Sequence, residues 1–325
     1  MIYKLLISGG ISVVIYFVIA FGLILSQPVR ALDTAQGAGL DFERIVGQDA
    51  TEPVEQVSYS TPDGTALTYG WVHEPGSEAK PLVVMVHGSG WYGGQFDRLA
   101  RALSDVAEVK TVTLRGHGPD PVRRGDVDYI GQLEDDLVPL FEGAEGRRRI
   151  LLGHSSGGGL VTRFAGGAHG DLIDGAILLA PFLQYDAPTT RANSGGWAHT
   201  LTRRIVGLSM LNMVGIHALD HLTMIQFAMP QAVLDGPRGD HATTAYSWRL
   251  NTSYAPRRDY RADIAALPPF LLVAGAGDEA MNAAAYEPLM APVNGQGQYH
   301  VIEGAGHLDI VDDPRTLDLI RAFLE

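Results

Sequence analysis

Ile150-Leu151-Leu152-Gly153-His154-Ser155-Ser156-Gly157-Gly158-Gly159-Leu160 is an apolar run that stops at a serine fenced by glycines. Residues 150–152 read as a short buried strand, and Leu160, Val161, Phe164 and Ala165 fall at the spacing of one helix face. A serine at that junction lies on a sharp turn. Gly153 and Gly157 stand two residues to either side of it and carry no Cβ, so strand and helix can approach while the serine takes a strained backbone conformation. That is the physics of a Gly-x-Ser-x-Gly elbow, which lifts the hydroxyl into the open and turns the N–H of the next residue, here Ser156, toward the same point. The pattern is short, and its meaning depends on whether the surrounding chain agrees with it.

Outward on both sides the same rhythm repeats. Upstream, residues 82–86 form a fully apolar run that ends in His87-Gly88-Ser89-Gly90-Trp91, with helical spacing over 96–106. Residues 109–114 form another strand, closing in Arg115-Gly116-His117-Gly118, and 129–141 again have helical spacing. Before these, 54–60 and 66–72 are alternating segments separated by Thr61-Pro62-Asp63-Gly64, a hairpin turn. Downstream, 176–179 and 270–273 are buried strands, 283–290 is helical, 298–302 is a last strand and 315–323 a closing helix. Strands that alternate with helices and are apolar throughout predict an α/β fold with a mostly parallel sheet covered on both faces. Ligands in such sheets bind beyond the carboxyl ends of the strands. The rhythm is lost over 184–267, where 200–211, 213–222 and 224–227 read as helical. A structureless loop of that size is foreign to a compact domain, so a helical cap over the sheet edge is expected. The core is then 54–183 with 268–325, and the cap 184–267.

A serine hydroxyl is a poor nucleophile at neutral pH. It needs a neutral histidine to take its proton and a carboxylate to hold that histidine. Asp278 follows the strand 270–273 through a Gly/Ala loop, and His307 follows the strand 298–302 through another, so both fall at carboxyl ends of strands. The chain order Ser155, Asp278, His307 is that of the α/β-hydrolase arrangement and differs from the chymotrypsin and subtilisin orders. Glu279 and Asp186 are the other carboxylates close enough in sequence to serve as the acid, and Asp278 could equally cap the helix that follows it. For the oxyanion, the backbone N–H of Ser89 with that of Ser156 is the first choice and Gly88 the second.

Residues 5–25 carry no charge over 21 positions, enough to cross a bilayer. Residues 1–32 are therefore an uncleaved membrane anchor or an exported signal peptide, Val29-Arg30-Ala31 being a tolerable cleavage site. Either way the rest is expected outside the cytoplasm. The polar, Gly/Ala-rich stretch 33–53 reads as a linker with no chemistry of its own. The chain of 325 residues is 46% hydrophobic and 19% charged, as ordinary globular proteins are. A net charge of −13 argues against a nucleic-acid surface, and the absence of cysteine excludes disulfides, thiol nucleophiles and cysteine-based zinc sites. His217 and His221 have a ligand-like helical spacing but no third ligand in view. His87, His117 and His154 read as turn and packing histidines. Met210, Met213, Met224, Met229, Leu211 and Phe227 are either cap core or the lining of an acyl pocket.

Taken together, Val86-His87-Gly88-Ser89-Gly90, Leu114-Arg115-Gly116-His117-Gly118, Gly153-His154-Ser155-Ser156-Gly157-Gly158, Gly277-Asp278 and Gly306-His307 resemble the lysophospholipase, monoacylglycerol lipase and serine-aminopeptidase-like branch of the α/β-hydrolase superfamily. The resemblance covers residues 54–325. It implies an eight-stranded sheet, a triad of Ser155, Asp278 and His307, no cofactor and no metal, and hydrolysis of an ester, thioester or amide. Carboxylic esters with lipid-like or medium-chain acyl groups are the expected substrates. Peptide or amide hydrolysis, acyl transfer, and a non-catalytic binding protein on the same fold are the alternatives. The cap matches no substrate-defining pattern.

Overall fold

The computed structural model describes residues 2–32, 39–42, 54–76 and 79–325. Seven strands and helices alternate before the insertion. A hairpin, β1 (Glu55–Ser60) and β2 (Ala66–Val72), is followed by β3 (Leu82–Val86), β4 (Glu108–Thr113), β5 (Arg149–His154) and β6 (Gly175–Leu179). The segment between β6 and the next core strand contributes β7 (Ala198–Thr200), β8 (Thr223–Phe227) and β9 (Ala245–Ser247); β10 (Phe270–Gly275) and β11 (Gly297–Ile302) return to the core. The eight-stranded sheet runs β1-β2-β4-β3-β5-β6-β10-β11. β1 and β2 pair antiparallel, as do β2 and β4, and every other pairing in this sheet is parallel. β3, β6 and β10 are buried at every residue, which is why they read as continuous apolar runs.

Helix α1 (Ile2–Leu25) precedes the core, α2 (Asp97–Leu103), α3 (Gln132–Leu137) and α4 (Ser156–Ala165) lie between core strands, and α5 (Thr202–Met213), α6 (Gln231–Leu234), α7 (Trp248–Tyr254) and α8 (Tyr260–Ala265) belong to the insertion. α9 (Tyr286–Met290) and α10 (Pro314–Leu324) complete the chain. The helix expected over 129–141 is shorter than its periodicity. Pro139 cannot donate to the helical ladder, and the chain tightens into a 3₁₀ turn at Val138–Phe141.

The insertion is not purely helical. Residues 213–222 and 224–227 were expected as helix, but α5 ends at Met213 and Thr223–Phe227 is the central strand of a three-stranded antiparallel sheet, β7-β8-β9. A five-residue apolar run does not distinguish helix from strand by itself. Here the backbone partners on β7 and β9 decide for strand.

α1 packs on the cap. Ala20 and Ile24 meet Leu208 and Leu211 of α5 in a small apolar cluster of their own. A Cβ on Gly207 would come within 2.6 Å of the Ala20 carbonyl oxygen, so the two helices touch backbone to backbone. Tyr16 donates its hydroxyl proton to the Met210 carbonyl, Arg203 N–H donates to Gln27, and Gln226 donates to the Arg30 carbonyl. The apolar window Ser8–Leu25 has a mean hydropathy of 2.3 and is only 11% buried within the chain.

Most of the expected linker, residues 33–38 and 43–53, lies outside the described residues. Its described part corrects the expectation of an inert tether: Leu40 and Phe42 are buried and Phe42 lies against Trp197, ring centroids 5.5 Å apart.

Candidate active site

β5 and α4 meet at Ser155, whose φ of 54° and ψ of −120° place it outside the ordinary helical and extended regions. The fold holds this conformation by removing side chains around it. A Cβ on Gly157 would lie 2.2 Å from the Val86 carbonyl oxygen, and one on Gly153 would lie 2.3 Å from the Gly157 carbonyl carbon. The elbow thus depends on both glycines, and Ser155 N–H is anchored to the Leu179 carbonyl of β6 at 2.9 Å.

Ser155 Oγ lies 2.9 Å from His307 Nε2, and His307 Nδ1 lies 2.8 Å from Asp278 Oδ2. The three residues come from the ends of β5, β10 and β11, and all are buried. The second carboxylate oxygen of Asp278 accepts from the Ala280 and Met281 N–H groups at 2.8 and 2.6 Å. Capping its own loop and holding His307 are therefore simultaneous roles on separate oxygens. Burial pushes the Asp278 carboxyl up, but the His307 charge, its hydrogen bond and the two amides outweigh this and leave the pKa lowered.

The other acids are occupied elsewhere. Glu279 accepts from the His307 backbone N–H at 2.9 Å, which fixes the loop and not the ring. Asp186 faces solvent in a two-pronged pair with Arg258. His217, one half of the ligand-like pair, bonds Asn212 and Asp220.

The loop after β3 provides the other half of the site. Gly88 N–H, the second-choice oxyanion donor, is spent on Gln95 Oε1 at 2.9 Å. Among the described residues, the Ser89 and Ser156 N–H groups have no hydrogen-bond partner, and the two side chains bond each other at 2.5 Å. Gln95 also donates to His154 Nδ1 at 2.6 Å, so His154 carries its proton on Nε2 and gives it to the His307 carbonyl at 3.0 Å. One glutamine therefore links the loop after β3, the elbow strand and the His307 backbone. Burial, with His307 beside it, pushes the His154 pKa down to about 3, so this link stays neutral at ordinary pH.

Two pockets meet at Ser155. One, with about 30 Å³ of free space inside, is walled by Leu40, Phe42, Trp91, Trp197, Met229 and Leu308. The other, with about 40 Å³ of free space inside, is walled by Phe182, Ala198, Ile225, Phe227 and Met281. Of the cap residues considered for an acyl lining, Met229 and Phe227 reach the site, while Met213 is exposed and Met210 packs near α1. Sequence reasoning missed Leu40, Phe42 and Gln95. An apolar pair, Leu40 and Phe42, inside a polar stretch was the available signal for the first two.

The sequence pattern of the alpha/beta hydrolase family matches residues 83–317. Among curated proteins, a pimeloyl-[acyl-carrier protein] methyl ester esterase of Chromobacterium violaceum is 32% identical over 124 residues, a match spanning 38% of this chain and 43% of that protein. Among solved structures, a soluble variant of monoglyceride lipase from Saccharomyces cerevisiae superposes with a TM-score of 0.64 at 20% identity, covering 86% of this chain and 97% of that one. A bacterial membrane phospholipase A superposes with a TM-score of 0.57 at 16% identity, covering 99% of this chain and 97% of that one.

Proposed function

The chain belongs to the alpha/beta hydrolase family, and from that premise we propose that it cleaves carboxylic esters of acyl chains through an acyl-enzyme on Ser155. The observation that carries this reading is the hydrogen-bonded series Ser155, His307, Asp278 beside two backbone amides with no partner among the described residues. In the proposed reaction His307 Nε2 takes the Ser155 proton as Oγ attacks the ester carbonyl. Asp278, kept ionised, holds Nδ1–H and stabilises the imidazolium. The Ser89 and Ser156 amides receive the charge that develops on the carbonyl oxygen. Collapse of the tetrahedral species expels the alcohol, which takes the proton from His307. Water, deprotonated by the same imidazole, then attacks the acyl-enzyme, and a second collapse frees the acid and restores Ser155.

The apolar walls of the two pockets that border Ser155 suit contact with acyl and alcohol carbon. The monoglyceride lipase and methyl ester esterase likenesses support an ester over other acyl substrates. An alkyl fluorophosphonate tests the reading: a single adduct on the Ser155 peptide, absent in His307→Ala, is expected. Labelling at another residue, or none, would remove Ser155 from the mechanism.

The same reading extends to α1 as a retained membrane anchor. Helix α1 is 24 residues, about 36 Å, long; from Tyr16 onward one face packs on α5, and its remaining apolar surface is exposed for contact with a hydrocarbon layer. Its seam with α5 supports retention over cleavage, because removal would uncover Leu208 and Leu211, which are fully buried. Intact mass of membrane-extracted protein that lacks residues 1–31 would refute it.

A further inference from the structure

The fold treats three successive amides of the loop after β3 differently. Gly88 N–H donates to Gln95, and Gly90 N–H donates to the Tyr246 hydroxyl at 2.6 Å. Between them Ser89 N–H has no partner among the described residues, and Ser89 borders both pockets beside Ser155. Gly90 has a φ of +77°, and a side chain there would press on Met229, Thr243 and Trp197, so the cap grips this residue through its backbone: Thr243 N–H donates to the Gly90 carbonyl at 3.0 Å, and the Tyr246 hydroxyl takes the amide.

Tyr246 is a cap residue, on β9, fully buried, whose hydroxyl meets the Gly90 N–H on one side and His117 on the other. His117 decides where that proton goes. Its Nδ1 lies 3.0 Å from the Arg115 carbonyl oxygen, which can only accept, so Nδ1 carries the ring proton and Nε2 is the acceptor. Tyr246 therefore donates to His117 Nε2 at 2.6 Å and accepts from Gly90 N–H. Burial pushes the His117 pKa down to about 4 and raises that of Tyr246, so neither group changes protonation in the range where the enzyme would work. The relay is built to be constant: His117 orients Tyr246, and Tyr246 orients Gly90.

We propose that Tyr246 is a positioning residue for the oxyanion hole: its hydroxyl, oriented by His117, holds Gly90 so that the neighbouring Ser89 N–H stands beside the Ser156 N–H over Ser155. The cap thereby does more than cover the site. The Tyr246 ring meets Phe227 edge to face at 4.7 Å, and Phe227 both borders a pocket and stacks on Trp197 at 5.4 Å. The wall that an acyl chain touches and the residue that sets the oxyanion donor belong to one packed aromatic group. Nothing in the composition of the cap announces this, because the donor it controls lies more than 150 positions upstream. The inference rests on the proposed esterase reading.

The test is the full-length chain against Tyr246→Phe, which keeps the ring and removes the hydroxyl. Removing an oxyanion donor outright costs about 100- to 1,000-fold in kcat, and misorienting one should cost less, about 10- to 100-fold. KM for a p-nitrophenyl ester should stay within about twofold, since the ground state scarcely uses the hole. Affinity for an alkylboronic acid, which forms a tetrahedral adduct on serine, should fall in proportion to kcat. Tyr246 replaced by a ring-fluorinated tyrosine, nearly isosteric and a weaker acceptor, gives a smaller loss of the same kind and serves if the phenylalanine variant does not fold. A kcat within twofold of wild type in a folded variant, or equal losses in kcat and boronate affinity accompanied by a large rise in KM, overturns the proposal and leaves the esterase reading standing. A wild type that neither turns over esters nor binds the boronate overturns both.

Discussion

At the carboxyl edge of the sheet, Ser155, His307 and Asp278 are tied to one another and to backbone amides by hydrogen bonds of 2.6 to 2.9 Å. The cap meets the same space with Trp197, Ile225, Phe227 and Met229, whose contribution is apolar surface. The two regions divide the work by the kind of force they use. Directional bonds in a buried setting fix a few polar atoms to within tenths of an ångström, which is what bond making requires. Dispersion and apolar contact are tolerant of shape, which suits a wall facing the flexible acyl chains proposed as substrate. Changes in the core, and in the one cap side chain that bonds the loop after β3, Tyr246, should therefore scale turnover for every substrate alike, and changes in the apolar wall of the cap should reshape the substrate profile.

The largest break in that comparison is expected from Asp278→Asn. The amide cannot stabilise an imidazolium and favours the wrong histidine tautomer, so kcat should fall by about 10⁴-fold with the same factor for short and long acyl esters. A chain-length-dependent loss would mean that Asp278 acts on the pocket and not on His307.

A second prediction concerns acid. His117 and His154 have folded pKa values of about 4 and about 3, below the ~6.5 of an unfolded histidine. The unfolded chain then binds more protons than the folded one below that value, and stability is lost as pH falls from ~6.5 toward the folded pKa values. Each group should contribute a loss of about 1.4 kcal/mol per pH unit inside its window, read from urea midpoints between pH 7 and 4. A flat midpoint over that range would show that these rings are wet or already charged.

The smallest effects, and the ones that sharpen the comparison, belong to the pocket wall. Phe42→Ala opens space beside Trp197 and should move the preferred acyl length upward while changing kcat/KM for the short esters only about threefold or less, at most about 0.7 kcal/mol. An unchanged profile would separate residues 39–42 from the acyl site. Leu40→Ala is expected to act in the same direction.

The core was legible because each of its parts is a local signal. An apolar run closing in His87-Gly88-Ser89-Gly90, the Gly153 to Gly157 elbow, and carboxylate and imidazole at the ends of β10 and β11 all stand where short-range sterics require them. The hairpin of β1 and β2 followed from alternation and a turn, and its strands pair from Glu55 with Trp71 to Ser60 with Ala66. The cap was not legible in the same way. Thr223–Phe227 is a strand because of partners distant in sequence, and a single segment does not carry that information. Leu40 and Phe42 fell in a stretch without periodicity, and their burial follows from a contact with Trp197 of the cap. Gln95 lay unnoticed on a helical turn because its role exists only once Gly88 and His154 have been brought beside it. The end of α3 is a different case: Pro139 marks it in the sequence, while the apolar periodicity runs on past the residue that breaks the ladder.

The account rests on Ser155 as the nucleophile of an ester hydrolase, and the most direct measurement is turnover of p-nitrophenyl esters from acetate to palmitate by wild type and Ser155→Ala. Hydrolysis by the wild type with a chain-length optimum, reduced by about 10⁴-fold or more in a folded Ser155→Ala variant, is the predicted result. Equal turnover by both proteins, or none by a folded wild type at any chain length, would contradict it.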